Sequence, residues 1–177
     1  MLLISFDVNF RGNLWSGAKA KACIEEILPI VDIFFCSDST ARLTFLKEGT
    51  PEEVMKSFAD EYPISVVAAT QRIVHSPKRH SFGSVIYDAK KQTFVKEEMY
   101  KDIEVVDRIG SGDAYISGFL YGLLKENGNC QAALEYGNAA SAMKNTVSGD
   151  MLWTDPQEMQ QTIEMHHNIG QDFEMKR

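Results

Sequence analysis

Asp107-Arg108-Ile109-Gly110-Ser111-Gly112-Asp113 runs without a break into Ala114-Tyr115-Ile116-Ser117-Gly118-Phe119-Leu120-Tyr121-Gly122-Leu123-Leu124, and the reading of this stretch decides the rest. Apolar residues at 116, 120, 123 and 124 follow the helical repeat, so two glycines and a serine lie in a loop that opens the first turn of a buried helix. Backbone N–H groups at a helix start lack internal acceptors, and the aligned peptide dipoles add partial positive charge there, so a phosphate is a natural guest. Gly110 and Gly112 allow close approach and positive φ without a Cβ clash. A carboxylate beside a phosphate is repelled unless it handles a proton. Asp113 therefore suits a general base for a hydroxyl that attacks a phosphoryl group, and equally suits a helix cap.

Two other phosphate-binding loops are excluded. No Gly-Lys-Ser/Thr follows Gly112, as a Walker A loop requires, and Tyr115 stands where a dinucleotide fingerprint needs its third glycine. The segment from Asp107 to Asp113 resembles the second signature of the PfkB (ribokinase-like) carbohydrate kinases, D-T-x-G-A-G-D, with Arg108 and Ser111 replacing the usual small residue and Ala. The resemblance implies that Asp113 is the catalytic base and that the amides of Gly110, Ser111 and Gly112 form an anion hole. Neither replacement removes a backbone N–H.

Composition narrows the field. The chain of 177 residues is long enough for one domain with its own core, and an apolar fraction of 44% is ordinary for a globular protein. A net charge of −7 argues against a nucleic-acid surface, which needs a basic face. Cys23, Cys36 and Cys130 are widely spaced and odd in number, so neither a disulfide framework nor a zinc site is indicated and a reducing cytoplasm fits. No apolar run approaches the ~18 residues of a membrane span, and the start lacks the pattern of a signal peptide.

From the N-terminus, Leu2-Leu3-Ile4-Ser5-Phe6 reads as a buried parallel strand that needs neighbours on both sides. Asp7, Asn9 and Arg11 then alternate, so an extended segment would place a carboxylate, an amide and a guanidinium on one face, or in a solvated turn. This D-x-N-x-R run, followed by Leu14-Trp15, is similar to a segment of 2-keto-3-deoxygluconate kinases. The likeness implies that Arg11 contacts the acid sugar or a phosphate and that Asn9 contacts phosphate; an Arg can grip a planar carboxylate with two hydrogen bonds.

A helix over 16–28 ends at Pro29, with Ala20, Cys23, Ile24, Ile27 and Leu28 inward, and a strand follows over 31–35. Cys36-Ser37-Asp38-Ser39-Thr40 lacks the N-x-x-E that many family members use to order magnesium and phosphate; it reads as a helix cap, and the carboxylate of that motif is either missing or supplied by Asp38. Thr50-Pro51-Glu52-Glu53 opens a helix with a capping box. A strand over 64–69 leads to Thr70 and Arg72, which the resemblance assigns to ATP contact, and 75–80 reads as a basic loop. Residues 82–87 and 92–96 form a hairpin, and 103–106 is a short strand, so the sheet is expected to be mixed. The helix over 130–146 is rich in small residues, which suit a close helix neighbour or a flat adenine ring; the resemblance places Asn138 at the adenine pocket. A final helix starts at Asp155-Pro156, and after Ile169 the chain is polar and expected to fray.

The expectation is one α/β unit: a ribokinase-like, partial three-layer α/β/α arrangement with a mixed, mostly parallel sheet. The resemblance covers residues 1–177 but only the C-terminal, nucleotide-binding and catalytic part of a PfkB kinase domain, without the N-terminal part and the sugar lid. It implies ATP and Mg²⁺ as cofactors and transfer of phosphate to a sugar acid, 2-keto-3-deoxygluconate first. A fructokinase or ribokinase, or an inactive nucleotide-binding or assembly fragment, are the alternatives. An unpaired sheet edge favours association, as a homo-oligomer or with a complementing fragment.

Overall fold

The computed structural model describes residues 2–168, so the polar tail after Ile169 lies outside the described residues. Contacts group these residues into two compact units where the sequence suggests one: 2–73 with 83–99, and 74–82 with 100–168. The boundary runs through two long strands, β3 (Val66–Ser76) and β4 (Arg79–Asp88), whose opposite ends have different neighbours.

In the first unit, β1 (Ser5–Asp7), α1 (Gly17–Glu25), β2 (Ile33–Phe35), α2 (Asp38–Phe45) and α3 (Pro51–Glu61) precede β3. Strands β1, β2 and β3 are parallel neighbours, in register from Ser5, Ile33 and Val66 to Asp7, Phe35 and Ala68. β5 (Thr93–Lys96) pairs antiparallel with β4, Val85 opposite Lys96. The core is built on buried Phe34, whose ring lies 4.9 Å from Phe58 and 6.2 Å from Phe45 in edge-on contacts that aromatic quadrupoles favour. The capping box at α3 is present: the Thr50 hydroxyl accepts from the Glu53 amide, and the Glu53 carboxylate accepts from the Thr50 amide at 2.7 Å.

In the second unit, β6 (Tyr100–Glu104) pairs antiparallel with the near end of β4, Arg79 opposite Glu104. The helices α4 (Ser111–Lys125), α5 (Cys130–Asn145) and α6 (Pro156–His167) follow. α4 and α5 touch along their backbones. A Cβ at Gly118 would stand 2.4 Å from the Tyr136 carbonyl oxygen, and one at Gly122 would stand 2.5 Å from that of Ala132, so only glycine permits this separation. The pairing of 118 with 136 and 122 with 132 makes the two helices antiparallel.

Several expectations are revised. β1 is an exposed strand with one neighbour, and Leu2 is 83% exposed, because no strand pairs with its other side among the described residues. Cys23 is exposed, since α1 buries only Ala20 and Ile24. Residues 70–76 continue β3, and the basic segment is a tight turn at Pro77-Lys78 between β3 and β4. On α4 the buried face comprises Tyr115, Phe119 and Leu123; of the expected stripe Leu123 is buried, Ile116 and Leu120 are half-buried and Leu124 is exposed. The mixed sheet and the α/β class hold: three parallel strands meet antiparallel pairs at β4. No described helix is long and apolar enough to cross a membrane.

Candidate functional site

The start of α4 is shaped by Gly110, its N-cap, which adopts a left-handed φ of 78°. A Cβ there would lie 1.9 Å from the Asp150 carbonyl oxygen, so both the conformation and the close approach demand glycine. Of the amides expected to form the anion hole, that of Ser111 donates to the Arg108 carbonyl at 3.2 Å. The amides of Gly112 and Asp113 have no acceptor among the described residues, as befits the first turn of a helix. A Cβ at Gly112 would meet nothing within 4 Å, so the space over this amide is open. The free donors of this loop are therefore at 112 and 113, and Gly110 contributes its turn.

Asp113 is exposed and lies on the rim of a cavity of about 390 Å³ with Ser117 and Tyr121 of α4, Ala140 of α5, and the segment from Asp150 to Leu152. A carboxylate, two unpartnered amides and a recess thus meet at one helix end, and a 15-residue helix directs its dipole there. Such an arrangement can hold an anion and accept a proton beside it.

The loop before α4 is held by Asp107. Its carboxylate accepts from the Ile109 amide at 3.0 Å and from the Gly149 amide at 3.2 Å. The Ile109 hydrogen bond above all, helped by that of Gly149 and by the charge of Lys144, lowers the Asp107 pKa against a smaller opposing effect of desolvation.

A second recess, of about 350 Å³, lies in the first unit, lined by Ser37, Asp38, Glu52, Thr70 and Arg72 among others. It collects residues that follow the end of β2 and residues of β3 beyond its pairing with β2, at the end of the parallel strands where open α/β sheets bind ligands. Ser37 caps α2, its hydroxyl accepting from the Thr40 amide at 3.2 Å. Asp38 Oδ2 accepts from Arg42 Nε at 2.8 Å, whereas buried Oδ1 receives no hydrogen bond among the described residues. Burial, and then the charges of Asp7 and Asp38, push the Cys36 thiol far up, so it is inert.

Thr70 and Arg72 both line this second recess. Asn9 and Arg11 occupy an exposed turn, where Asn9 has a positive φ of 39° and its amide donates to Asp7 Oδ1 at 3.3 Å. The strand alternation therefore ends at Asp7, and the shared face expected of Asp7, Asn9 and Arg11 is not formed. Arg11 is exposed, and Nη1 donates to the Phe10 carbonyl at 3.3 Å. Asn138 is buried within α5 and does not line the Asp113 recess. Sequence reasoning missed the segment 150–152 and Ser117 as lining residues; for the former, the helix cap at Asp155 and Pro156 marks where the covering segment ends.

The fold and the start of α4 define an α/β protein in which two unpartnered amides and a carboxylate meet at one helix end. Residues 3–156 match the pfkB family carbohydrate kinases, and the chain belongs to that family. Among its relatives, the 2-dehydro-3-deoxygalactonokinase of Haloferax volcanii is 28% identical over 159 residues, a region that is 90% of this chain and 46% of the relative. A putative 2-keto-3-deoxygluconate kinase structure from Enterococcus faecalis is 25% identical with a TM-score of 0.77, covering 96% of this chain and 51% of that one. A putative ribokinase II from Escherichia coli in complex with ATP and Mg²⁺ is 25% identical with a TM-score of 0.69, covering 93% of this chain and 49% of that one. The chain spans about half the length of the relatives it matches.

Proposed function

We propose that residues 1–177 are the C-terminal, nucleotide-binding and catalytic part of a cytoplasmic sugar kinase that transfers the γ-phosphoryl group of ATP to a hydroxyl of 2-keto-3-deoxygluconate. The observation that carries this reading is the start of α4, where the Gly112 and Asp113 amides lack acceptors and the Asp113 carboxylate stands at the mouth of a recess. The unpartnered amides fit a phosphate group. The donorless Asp38 Oδ1 fits a cation, with Glu52 as a second carboxylate of the same recess. Magnesium, when bound, supplies charge neutralisation of the phosphates.

Asp113 takes the proton from the sugar hydroxyl as its oxygen forms the new bond to the γ-phosphorus. The bond from that phosphorus to the bridging oxygen breaks, and the electron pair leaves with ADP. The Gly112 and Asp113 amides stabilise the charge on the transferring group. Thr70 and Arg72 contact the nucleotide in this reading, and Asn138 acts from behind the helix surface. Arg11 binds the sugar carboxylate and Asn9 a phosphate oxygen; both stand on an accessible turn. The names of the Haloferax and Enterococcus proteins favour an acid sugar over a neutral one.

Transfer of labelled phosphate from ATP to 2-keto-3-deoxygluconate tests the reading. Loss of a general base lowers turnover about 10²- to 10⁴-fold, so Asp113→Asn should do so while ATP affinity changes little. Near-normal turnover in that variant refutes the assignment. Dependence on Arg11 for an acid sugar but not for fructose or ribose separates the substrate classes. A second reading, a nucleotide-binding or assembly module, is favoured by the half-length coverage of the relatives and predicts ATP binding without transfer.

A further inference from the structure

β1 is the outer strand of the sheet, and its hydrogen bonds show which groups the open side offers. The Ile4 carbonyl accepts from the Asp32 and Ile33 amides, the Ile4 amide donates to Asp32 Oδ2, and the Val8 amide donates to the Phe35 carbonyl. Residues 4 and 8 therefore turn toward β2 and the residue before it. In an extended chain the direction alternates, so Leu3, Ser5 and Asp7 turn their N–H and C=O groups the other way. The side chains of Ile4 and Phe6 are half-buried against the core of the first unit, whereas Leu2 is 83% and Leu3 41% exposed. Proteins usually protect such an edge with lysine or proline. The run Leu2-Leu3-Ile4-Ser5-Phe6-Asp7-Val8 contains neither.

We propose that β1 is a self-association edge: it pairs antiparallel with β1 of a second copy of this chain, about a two-fold axis at Ser5. An axis perpendicular to the sheet makes the contact isologous and keeps the core faces of both copies on the same side. Leu3 then stands opposite Asp7 of the second copy and Ser5 opposite Ser5, and each such pair exchanges two N–H···O bonds. On the core face Ile4 meets Phe6 of the second copy, apolar against apolar, and exposed Leu2 reaches the end of the strand beside Val8. The register is specified. A shift of two residues brings Leu3 opposite Asn9, whose positive φ ends the strand, and a shift of four sets Asp7 against Asp7, like charge against like. The contact makes no use of the α4 start, so it stands apart from the sugar-kinase reading.

Sedimentation equilibrium of the wild-type chain over a concentration series should give a dimer, twice the 19.9 kDa of one chain, in reversible exchange with the monomer. Ser5→Pro removes the outward donor and leaves the Ile4 and Val8 bonds in place, so it should raise the dissociation constant about tenfold or more with an unchanged circular dichroism spectrum. Ser5→Lys and Ser5→Glu each set like charges face to face on the axis and should raise it about threefold or more, whereas an equimolar mixture of the two should associate at least as tightly as the wild type. Recovery in the mixture also shows that both variants fold. Should Ser5→Pro alter the spectrum, the charged variants decide alone. A wild-type chain that stays monomeric overturns the proposal, whether the edge is then bare or taken by a strand of another protein. A dimer that folded Ser5→Pro leaves intact overturns it too, as does a mixture no tighter than its components, which would mean that the copies meet elsewhere.

Discussion

Two glycines of one helix should respond to the same substitution with opposite signs. Alanine is favoured over glycine in a helix interior by about 1 kcal/mol, so Gly118→Ala would stabilise an isolated α4. In the folded unit, however, the new Cβ would stand 2.4 Å from the Tyr136 carbonyl oxygen, 2.9 Å from its carbon and 2.8 Å from the Ala140 Cβ. Two of these are backbone atoms, so relief requires α4 and α5 to separate. Overpacking costs about 1–3 kcal/mol, and contacts this short belong at the upper end, which leaves a net loss of about 2 kcal/mol. For a chain of this size that lowers Tm by roughly 4–8 °C. Gly112→Ala meets no atom within 4 Å, its φ is not positive, and it should be neutral or stabilise by up to about 1 kcal/mol. Urea and thermal unfolding followed by circular dichroism measure both. A Gly118→Ala variant as stable as the wild type would refute the close contact of the two helices.

Other consequences can be measured as directly. Because the Asp107 pKa is lowered on folding, its contribution to stability is complete above its ordinary value of 3.8 and is lost as pH falls through the folded value; the gap between wild type and Asp107→Asn in urea should be widest at pH 7 and shrink steadily as pH is lowered below 3.8. Thr50→Ala breaks the capping box and should cost about 1 kcal/mol, visible as a shift in urea midpoint without a change in slope. Phe34→Ala removes the ring at the centre of the aromatic cluster and should cost about 3–5 kcal/mol. Iodoacetamide at pH 8 should label exposed Cys23 and spare Cys36 and Cys130, as peptide mass spectrometry will show; rapid labelling of Cys36 would contradict its burial.

The start of α4 was legible as a helix opening because glycines and a serine stand directly before an apolar repeat, and the Thr50 cap because its chemistry is local. The α4 face was read correctly at Leu123 and missed at Tyr115 and Phe119, because Gly118 and Gly122 help set the orientation of the helix, and a hydrophobic count gives them no weight. Alternation misled at Asn9, whose positive φ is a tertiary outcome, and at Leu2 and Leu3, whose apolarity reads as burial though no described strand covers β1. The basic segment at 75–80 concealed a hairpin because its residues pair across β3 and β4, as when His75 meets the Ser81 hydroxyl at 2.7 Å. Nothing in the sequence around Lys144 marks it as a buried lysine. Only the convergence of two carbonyls on its ammonium reveals otherwise.

The glycine seam between α4 and α5 also bears on motion. Helices that slide past one another usually do so by letting interdigitated side chains hop between rotamers, and a backbone-to-backbone contact has no such bearings. Shear is thereby locked out of this pair. Whatever opening the recess undergoes when a guest enters or leaves falls to the short strap of residues 151–154, whose Met151 and Trp153 are largely exposed, between Asp150 against Gly110 and the cap at Asp155.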